Sequence, residues 1–177
     1  IFRIFPVSVP LSLNLNMFSS DSNDPHVRAQ ANGVRSGYYS AAFLLQRILA
    51  DRLDVDPTEI EIADISMADL DDGTNRKIAE IILTDELPNG SGFVRHLFDN
   101  FEKIIAEALI PSDAESYVGK IHSDSHITRC KDACYDCLKV YRNMNYHSLL
   151  DWRLGLAMLR IMSNPEYQCG SDGNFKD

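Results

Sequence analysis

Apolar residues recur at helical spacing in several parts of the chain. The periodicity predicts helices over residues 38–50, 93–109 and 146–162, the first of which begins at Ser36. In that first helix the apolar residues cover more than half of the circumference, so we expect it to be buried. A shorter helix is expected over residues 134–143. The pattern therefore predicts several helices that pack against a common core.

Two segments between these helices have the pattern of strands. Glu59–Ile65 largely alternates between charged and apolar residues, which predicts a strand with one solvent-exposed face. Lys77–Thr84 is more apolar, so we expect it to lie nearer the centre of the sheet. The turn-forming sequence Asp71–Thr74 separates the two. Helices combined with strands predict an α/β or α+β fold, in which helices flank a small central sheet.

The remaining segments predict connections and termini. Ile1–Met17 alternates but is interrupted by prolines, which indicates a strand or an extended arm. Residues 18–37 are polar and predict a loop. A Gly-rich turn at 90–92, with Ser91 as the expected N-cap, leads into the second helix, and we interpret it as a sharp connection rather than an anion site. The predicted organisation is an extended N-terminal arm and polar loop (1–35), a folded domain (36–163) and a polar tail (164–177).

The charge of the chain is strongly acidic but unevenly distributed. The formal net charge of −9 over 177 residues argues against non-specific nucleic-acid binding by the whole surface. Residues 51–73 carry nine acids against one base, a net charge of −8, whereas residues 120–153 carry six bases against four acids, a net charge of +2. The C-terminal third is therefore the mildly basic part of an acidic protein.

Three cysteines are clustered in that basic part. Cys130, Cys134 and Cys137 lie within eight residues, and the one other cysteine is Cys169. A redox pair or a disulfide would be the alternative, but three crowded thiols do not suit a thioredoxin-like motif. Zinc takes four soft or borderline ligands in a tetrahedron. The spacing therefore predicts a zinc knuckle near the C-terminus, and we expect a structural ion because no zincin-type His-Glu motif accompanies it.

The fourth zinc ligand is not fixed by the spacing. His126 precedes Cys130 by three intervening residues and completes a compact knuckle, so it is the first choice. His122, His147 and Cys169 are the alternatives. Cys169 would give an all-thiolate site, although it lies in a polar tail.

The composition also indicates the cellular compartment of the protein. Four cysteines in 177 residues do not make a secreted disulfide scaffold, so we expect a reducing cytoplasm. No apolar run approaches the length of a membrane-spanning helix. The first residue is not Met, which suggests a piece of a longer protein.

Four motifs in one order resemble a known family. They are Tyr39-Ser40 with the apolar residues that follow, Leu83-Thr84-Asp85-Glu86-Leu87-Pro88-Asn89-Gly90-Ser91-Gly92-Phe93, the cluster Cys130, Cys134 and Cys137-Leu138, and Tyr141-Arg142-Asn143 followed by His147 and Leu150-Asp151-Trp152-Arg153. Over residues 36–160 the chain resembles the zinc-binding C-terminal module of bacterial superfamily 2 DEAD/DEAH-type helicases, found in MrfA-type DNA-repair helicases and DrmB-like phage-defence proteins. Many members have a further cysteine shortly before the position of Cys130. This chain has Ile127-Thr128-Arg129 there, which favours His126 as the substitute.

The resemblance implies an accessory zinc-binding domain of a DNA helicase, with DNA and a helicase motor, in cis or in trans, as partners. Lys131, Lys139, Arg142 and Arg129 are the residues expected to contact the nucleic-acid backbone. No phosphate-binding loop or DEAD-type box occurs, so the chain alone is not expected to hydrolyse ATP.

Two other functions are compatible with the sequence. One is a protein–protein interaction module that docks a helicase or defence-complex partner through the acidic segment 51–73 and the N-terminal arm. The other is a metal nuclease that uses Asp64 and Asp85, which is the least favoured because acids on an exposed strand face are common.

Overall fold

The computed structural model describes residues 1–4, 25–69, 77–87, 90–164 and 167, without the side chains of residues 25–31, 68, 77 and 78. The strands are β1 (Phe2–Ile4), β2 (Ile60–Asp69) and β3 (Lys77–Asp85). The α-helices are α1 (Pro25–Leu53), α2 (Phe93–Asp99), α3 (Phe101–Leu109), α4 (Tyr117–Ile121), α5 (Asp124–Arg129) and α6 (Trp152–Ser163). Short 3₁₀ helices span Pro57–Glu59 and Tyr141–Tyr146.

The three strands form one antiparallel sheet in the order β1-β3-β2. The central position of β3 confirms the expectation from its apolar sequence, and the small sheet with flanking helices confirms the predicted mixed fold. Ile81 and Leu83 are fully buried on one face of β3 because alternate residues of a strand point to the same side. The register between β2 and β3 shifts between Ile62 and Asp64, so Ala63 forms a bulge.

Helix α1 begins at Pro25 rather than at Ser36. The predicted loop is therefore wrong for residues 25–35, and α1 crosses the expected boundary at residue 35. Residues 25–35 include alanines, arginines and a glutamine, which favour helix, and proline is well tolerated in a first helical turn. Their lack of an apolar face concealed the helix. The alternating part of the arm, residues 5–15, lies outside the described residues.

The predicted helix over 93–109 is divided into α2 and α3 at Asn100. Gly92, with φ of 83°, is the N-cap of α2, so the expected capping role of Ser91 is wrong. The cap is supplied from a distance instead. Asp85 accepts hydrogen bonds from the N–H groups of Gly92 and Val94, both at 3.0 Å. The last residue of β3 thus fixes the start of the next helix.

The C-terminal helices also differ from expectation. Residues 134–140 form turns rather than the start of a helix, and α6 begins at Trp152 rather than near Tyr146. Asp151 ends the non-helical segment because its carboxylate caps the N–H groups of Arg153 and Leu154 at 2.9 and 3.2 Å. Helical periodicity alone does not detect such a boundary.

Helices α1 and α6 pack closely in the core. Gly155 of α6 lies against Ser40 and Leu44 of α1, and Gly37 of α1 lies against Leu154 and Met158 of α6. Residues without a side chain on both helices let the two backbones approach. The pair is antiparallel, since the later residue of α1 meets the earlier part of α6.

Gly155→Ala and Gly33→Ala form a matched pair that measures this contact. Alanine is favoured over glycine in both helices by about 0.8–1.0 kcal/mol. A Cβ at Gly155 would lie 2.6 Å from Leu44 Cδ1 and 2.9 Å from the backbone carbon of Ser40, whereas one at Gly33 would have no neighbour within 4 Å. We expect Gly33→Ala to stabilise the protein and Gly155→Ala to lower the free energy of unfolding by about 1–3 kcal/mol. Urea denaturation measures both, and stabilisation by Gly155→Ala would contradict the close approach.

Candidate metal centre

Two short helices bring the chain to the cysteine cluster. Ser116 and Ser123 cap α4 and α5, where their hydroxyl oxygens accept the N–H groups of Gly119 and His126. Helix α5 ends at Arg129, and the N–H of Cys130 donates to the carbonyl of His126 at 2.8 Å. His126 and Cys130 are therefore one helical turn apart and lie on the same side of the chain.

The structure brings together the four residues of the predicted knuckle. The ligand atoms of His126, Cys130, Cys134 and Cys137 lie within 4.8 Å of one another. Cys130 Sγ is 3.8 Å and Cys134 Sγ is 3.6 Å from Cys137 Sγ, and Cys134 Sγ is 3.5 Å from His126 Nε2. Around a tetrahedral zinc ion, thiolate sulfurs are about 3.8 Å apart and a sulfur–imidazole pair about 3.5 Å. The cluster therefore fits zinc in both donor chemistry and spacing.

The imidazole of His126 is oriented by a backbone partner. Its Nδ1 is 2.8 Å from the carbonyl oxygen of Ile121, so Nδ1 carries the proton and donates it. Nε2 is then left with a free lone pair that points toward Cys134 Sγ. A hydrogen bond of this kind fixes the tautomer and ring position of metal-binding histidines. His126 is 4% exposed, so its orientation is held by packing as well.

Two of the three thiols are shielded from solvent, and Cys134 is partly buried. Cys130 and Cys137 are buried, and this burial, together with the neighbouring thiols, raises the pKa of both. The N–H of Cys134 points to Cys137 Sγ at 3.1 Å, where it would stabilise a thiolate. Binding of a metal ion must therefore displace protons from buried thiols, which a divalent cation can do.

A tight turn and a tyrosine fix the backbone around Cys137. The N–H groups of Cys137, Leu138 and Lys139 all point to the carbonyl of Cys134, at 3.2, 3.1 and 2.9 Å. The hydroxyl of Tyr117, on α4, donates to the carbonyl of Cys137 at 3.1 Å. The cysteine turn is thus attached to the helix that precedes α5.

The sequence Asp151-Trp152-Arg153 attaches the cluster to the core. The N–H of Trp152 donates to the carbonyl of Asp132 at 3.0 Å, and its ring lies 5.5 Å from the His126 ring between centroids. Arg153 donates to the carbonyls of Cys130 and Lys131. Sequence reasoning used this motif for the resemblance but missed its supporting role, which no local pattern reveals.

The other candidate ligands are placed differently. His122 Nδ1 contacts the carbonyl of Val118 at 2.8 Å. His147 Nε2 lies 3.1 Å from the carbonyl of Val140 and 3.0 Å from Asn143 Oδ1. Neither belongs to the four-residue cluster. Cys169 lies outside the described residues.

Two of the residues expected to contact nucleic acid, Arg129 and Lys131, lie within the span of the cluster, and Lys139 and Arg142 follow it. Arg129, Lys131 and Arg142 are exposed, and Lys139 is partly buried. Arg129 Nε donates to the carbonyl of Ser125 at 3.0 Å. Two of the most exposed aromatic side chains accompany them, since Tyr135 is 68% and Tyr141 84% exposed.

The two acids considered for a metal nuclease have backbone partners. Asp64 Oδ1 accepts the N–H of Ile65 at 2.9 Å, and Asp85 caps α2. In the part of the chain that the structure describes, neither belongs to a group of three or more metal-binding side chains. Within the same residues, no helix combines the length and the apolar content needed to cross a bilayer.

Comparison with known proteins identifies the family. The family model of the MrfA Zn-binding domain matches residues 41–138, more than half of the chain. The match runs from the middle of α1 to the residue after Cys137. No curated protein and no solved structure shows significant similarity. The chain therefore belongs to the MrfA Zn-binding domain family.

Proposed function

We propose that Cys130, Cys134, Cys137 and His126 hold a structural zinc ion, and that the domain serves a DNA helicase as an accessory module that contacts the nucleic-acid backbone. The observation that carries the DNA contact is the exposure of basic and aromatic side chains on the same segment as the zinc ligands. The helicase context rests on the resemblance of the four sequence motifs.

The donor set favours a structural ion. Four protein side chains fill a tetrahedron, which leaves no position for a water molecule or substrate. Cys130 is 4% and Cys137 0% exposed, so solvent has little access to the ion. The zinc would join α5 to the turn at 134–138 and thereby fix the exposed side chains on this segment.

The exposed side chains supply two kinds of contact that suit single-stranded DNA. Lys131 and Arg142 are exposed and Lys139 is partly buried, and all three offer positive charge to phosphates. Arg129, at the end of α5, adds a fourth positive charge. Tyr135 and Tyr141 offer faces on which bases can stack without sequence preference. Because the whole chain has a net charge of −9, we expect any affinity to be confined to this segment.

Charge reversal tests the proposed contact. We expect Lys131→Glu/Lys139→Glu to weaken binding of a labelled single-stranded oligonucleotide about tenfold at about 50 mM salt, and to reduce the salt dependence by the loss of phosphate contacts. Fluorescence anisotropy over a salt series measures both quantities. Neither lysine is a zinc ligand, so the zinc content should stay unchanged.

A matched control separates this segment from the general charge of the protein. Arg52→Glu/Lys103→Glu makes the same change in net charge at exposed residues of α1 and α3. It should weaken binding much less. Equal effects of the two double variants, or no affinity of the native chain for DNA, would overturn the proposed contact.

A further inference from the structure

A cleft of about 1010 Å³ is lined by strand β2, by α1 and by the 3₁₀ helix Tyr141–Tyr146. Residues 60–65 of β2 form one wall without interruption. The opposite walls include Tyr39 and Phe43 of α1 and Tyr146 of the 3₁₀ helix. The Tyr146 ring lies 4.8 Å from Tyr39 and 5.9 Å from Phe43 between centroids, so the three rings form a continuous aromatic wall.

The backbone edge of β2 faces this cleft. In the described sheet β2 has β3 on one side and is an edge strand. The N–H of Glu86 donates to the carbonyl of Glu59. This bond shows that the main-chain polar groups of Glu59, and of every second residue after it up to the bulge, point toward β3. Since alternate residues of a strand face opposite neighbours, Ile60, Ile62 and, after the bulge, Ile65 turn their polar groups outward.

Two contacts agree with this orientation. Gln46 Nε2 donates to the carbonyl of Ile60 at 2.6 Å, and the N–H of Ile65 is accepted by Asp64 at 2.9 Å. Both bonds join outward-facing groups of β2 to side chains. Ile62, between them, presents its N–H and C=O toward the cleft. An extended chain can pair with such an edge through main-chain hydrogen bonds.

The two faces of the strand define which extended chain would fit. Glu61 and Asp64 are exposed on the face of β2 that points away from the helices, since they pair with Thr84 and Ile82. The opposite face of β2 is on the side of the sheet where the aromatic wall lies. A neighbouring strand places alternate side chains on the same two faces, so basic residues would meet the acids and apolar residues would meet the rings.

We propose that this cleft binds an extended segment of a partner protein in which basic and apolar residues alternate, added as a strand to the edge of β2. The lining of the cleft has four acids, Asp56, Glu61, Asp64 and Glu86, and two bases, Arg47 and Arg142, a net charge of −2. Tyr141 and Arg142, which the proposed DNA contact also uses, line the cleft, whereas Lys131 and Lys139 do not. The two sites therefore adjoin, and the lysines test the DNA contact without altering the cleft.

Charge disfavours the competing occupants. Two copies of the chain paired through β2 would place like charges opposite one another. Natural edge strands use such repulsion between charges to prevent association. The chain's own residues 5–24 contain no lysine or arginine and carry two prolines. A nucleic acid would bring its phosphates against the acids of β2.

The test uses a blocked, labelled peptide of alternating lysine and valine, about nine residues long, which matches the length of a strand. We expect it to bind the zinc-loaded chain, and we expect Glu61→Lys/Asp64→Lys to weaken binding about tenfold. Glu102→Lys/Glu115→Lys, which changes exposed acids of α3 and the α3–α4 connection by the same total charge, should leave binding nearly unchanged. Anisotropy measures the affinities.

Two N-methylated peptides separate strand pairing from simple charge attraction. If the peptide pairs antiparallel to β2, the N–H groups of the valines face β2; if it pairs parallel, those of the lysines do. N-methylation of the set that faces β2 removes these donors and should abolish binding. Methylation of the other set should be tolerated. In hydrogen exchange, the amide of Ile62 should be slowed by the unmodified peptide.

Several results would overturn the inference. These are absence of peptide binding, equal effects of the two charge variants, equal tolerance of the two methylated peptides, or a dimer formed through β2 in place of a peptide complex. Displacement of the peptide by single-stranded DNA would assign the cleft to nucleic acid instead. Loss of DNA affinity in Lys131→Glu/Lys139→Glu with unchanged peptide binding would keep the two surfaces distinct.

Discussion

Replacement of Cys137 by Ser should remove zinc from the purified chain and unfold the segment around the cluster. Cys137 is fully buried, and its sulfur lies next to both other thiols. A serine hydroxyl is a poor zinc ligand, and at this buried position it would have few hydrogen-bond partners. Because structural zinc contributes directly to folding, we expect the metal content to fall from about one ion per chain to near zero and the Tm to decrease. Metal analysis and circular dichroism measure the two effects.

Variants of the other candidate ligands give the controls. His126→Ala should lower zinc affinity, since one of the four donors is lost while three thiols remain. His122→Ala and Cys169→Ser should keep one ion per chain. Full zinc content in Cys137→Ser would contradict the site, and loss of zinc in Cys169→Ser would move the fourth donor to the tail.

Replacement of Trp152 by Ala should destabilise the protein and accelerate zinc release, although Trp152 is not a ligand. The side chain is 2% exposed, its ring lies 5.5 Å from the His126 ring, and the Arg153 guanidinium lies 4.3 Å from its centroid. Truncation leaves a cavity beside a metal ligand and should cost about 3–5 kcal/mol. Urea denaturation gives the stability, and transfer of zinc to a chromogenic chelator gives the release rate.

Trp152→Phe is the matched variant for this prediction. Phenylalanine keeps an aromatic ring against His126, so its loss of stability should be smaller and zinc release slower than in Trp152→Ala. Since Trp152 is the one tryptophan of the chain, its fluorescence also reports directly on the site in the native protein. Unchanged stability and release in Trp152→Ala would show that the ring does not support the cluster.

The grouping of the four candidate zinc ligands was predictable from the sequence because these residues are close together in the chain. His126, Cys130, Cys134 and Cys137 span twelve residues, and one helical turn followed by one tight turn is enough to gather their donor atoms. The strands were predicted for a similar reason, since the alternation of Glu59–Ile65 and the apolar run of Lys77–Thr84 are both visible within a few residues. Both features depend on near neighbours in the chain.

The predictions from the sequence were wrong or incomplete where contacts between residues far apart in the chain determine the structure. Ser40 accepts the N–H of Asp151 across 111 residues, and Asp85 caps α2 from the end of β3. The start of α6, the role of Trp152 and the cleft along β2 depend on such contacts. The start of α1 was missed for another reason, because its first turns have helix-forming residues but no apolar face.

The antiparallel packing of α1 and α6 has a mechanical consequence. Gly37 meets Met158 and Ser40 meets Gly155, so residue 33 of α1 and Ser163 of α6 lie at the same end of the pair. Trp152 and the zinc ligands lie at the opposite end. Force that pulls residues 33 and 163 apart would separate the two helices turn by turn from that end rather than shear them. The metal cluster, at the far end, would be reached last.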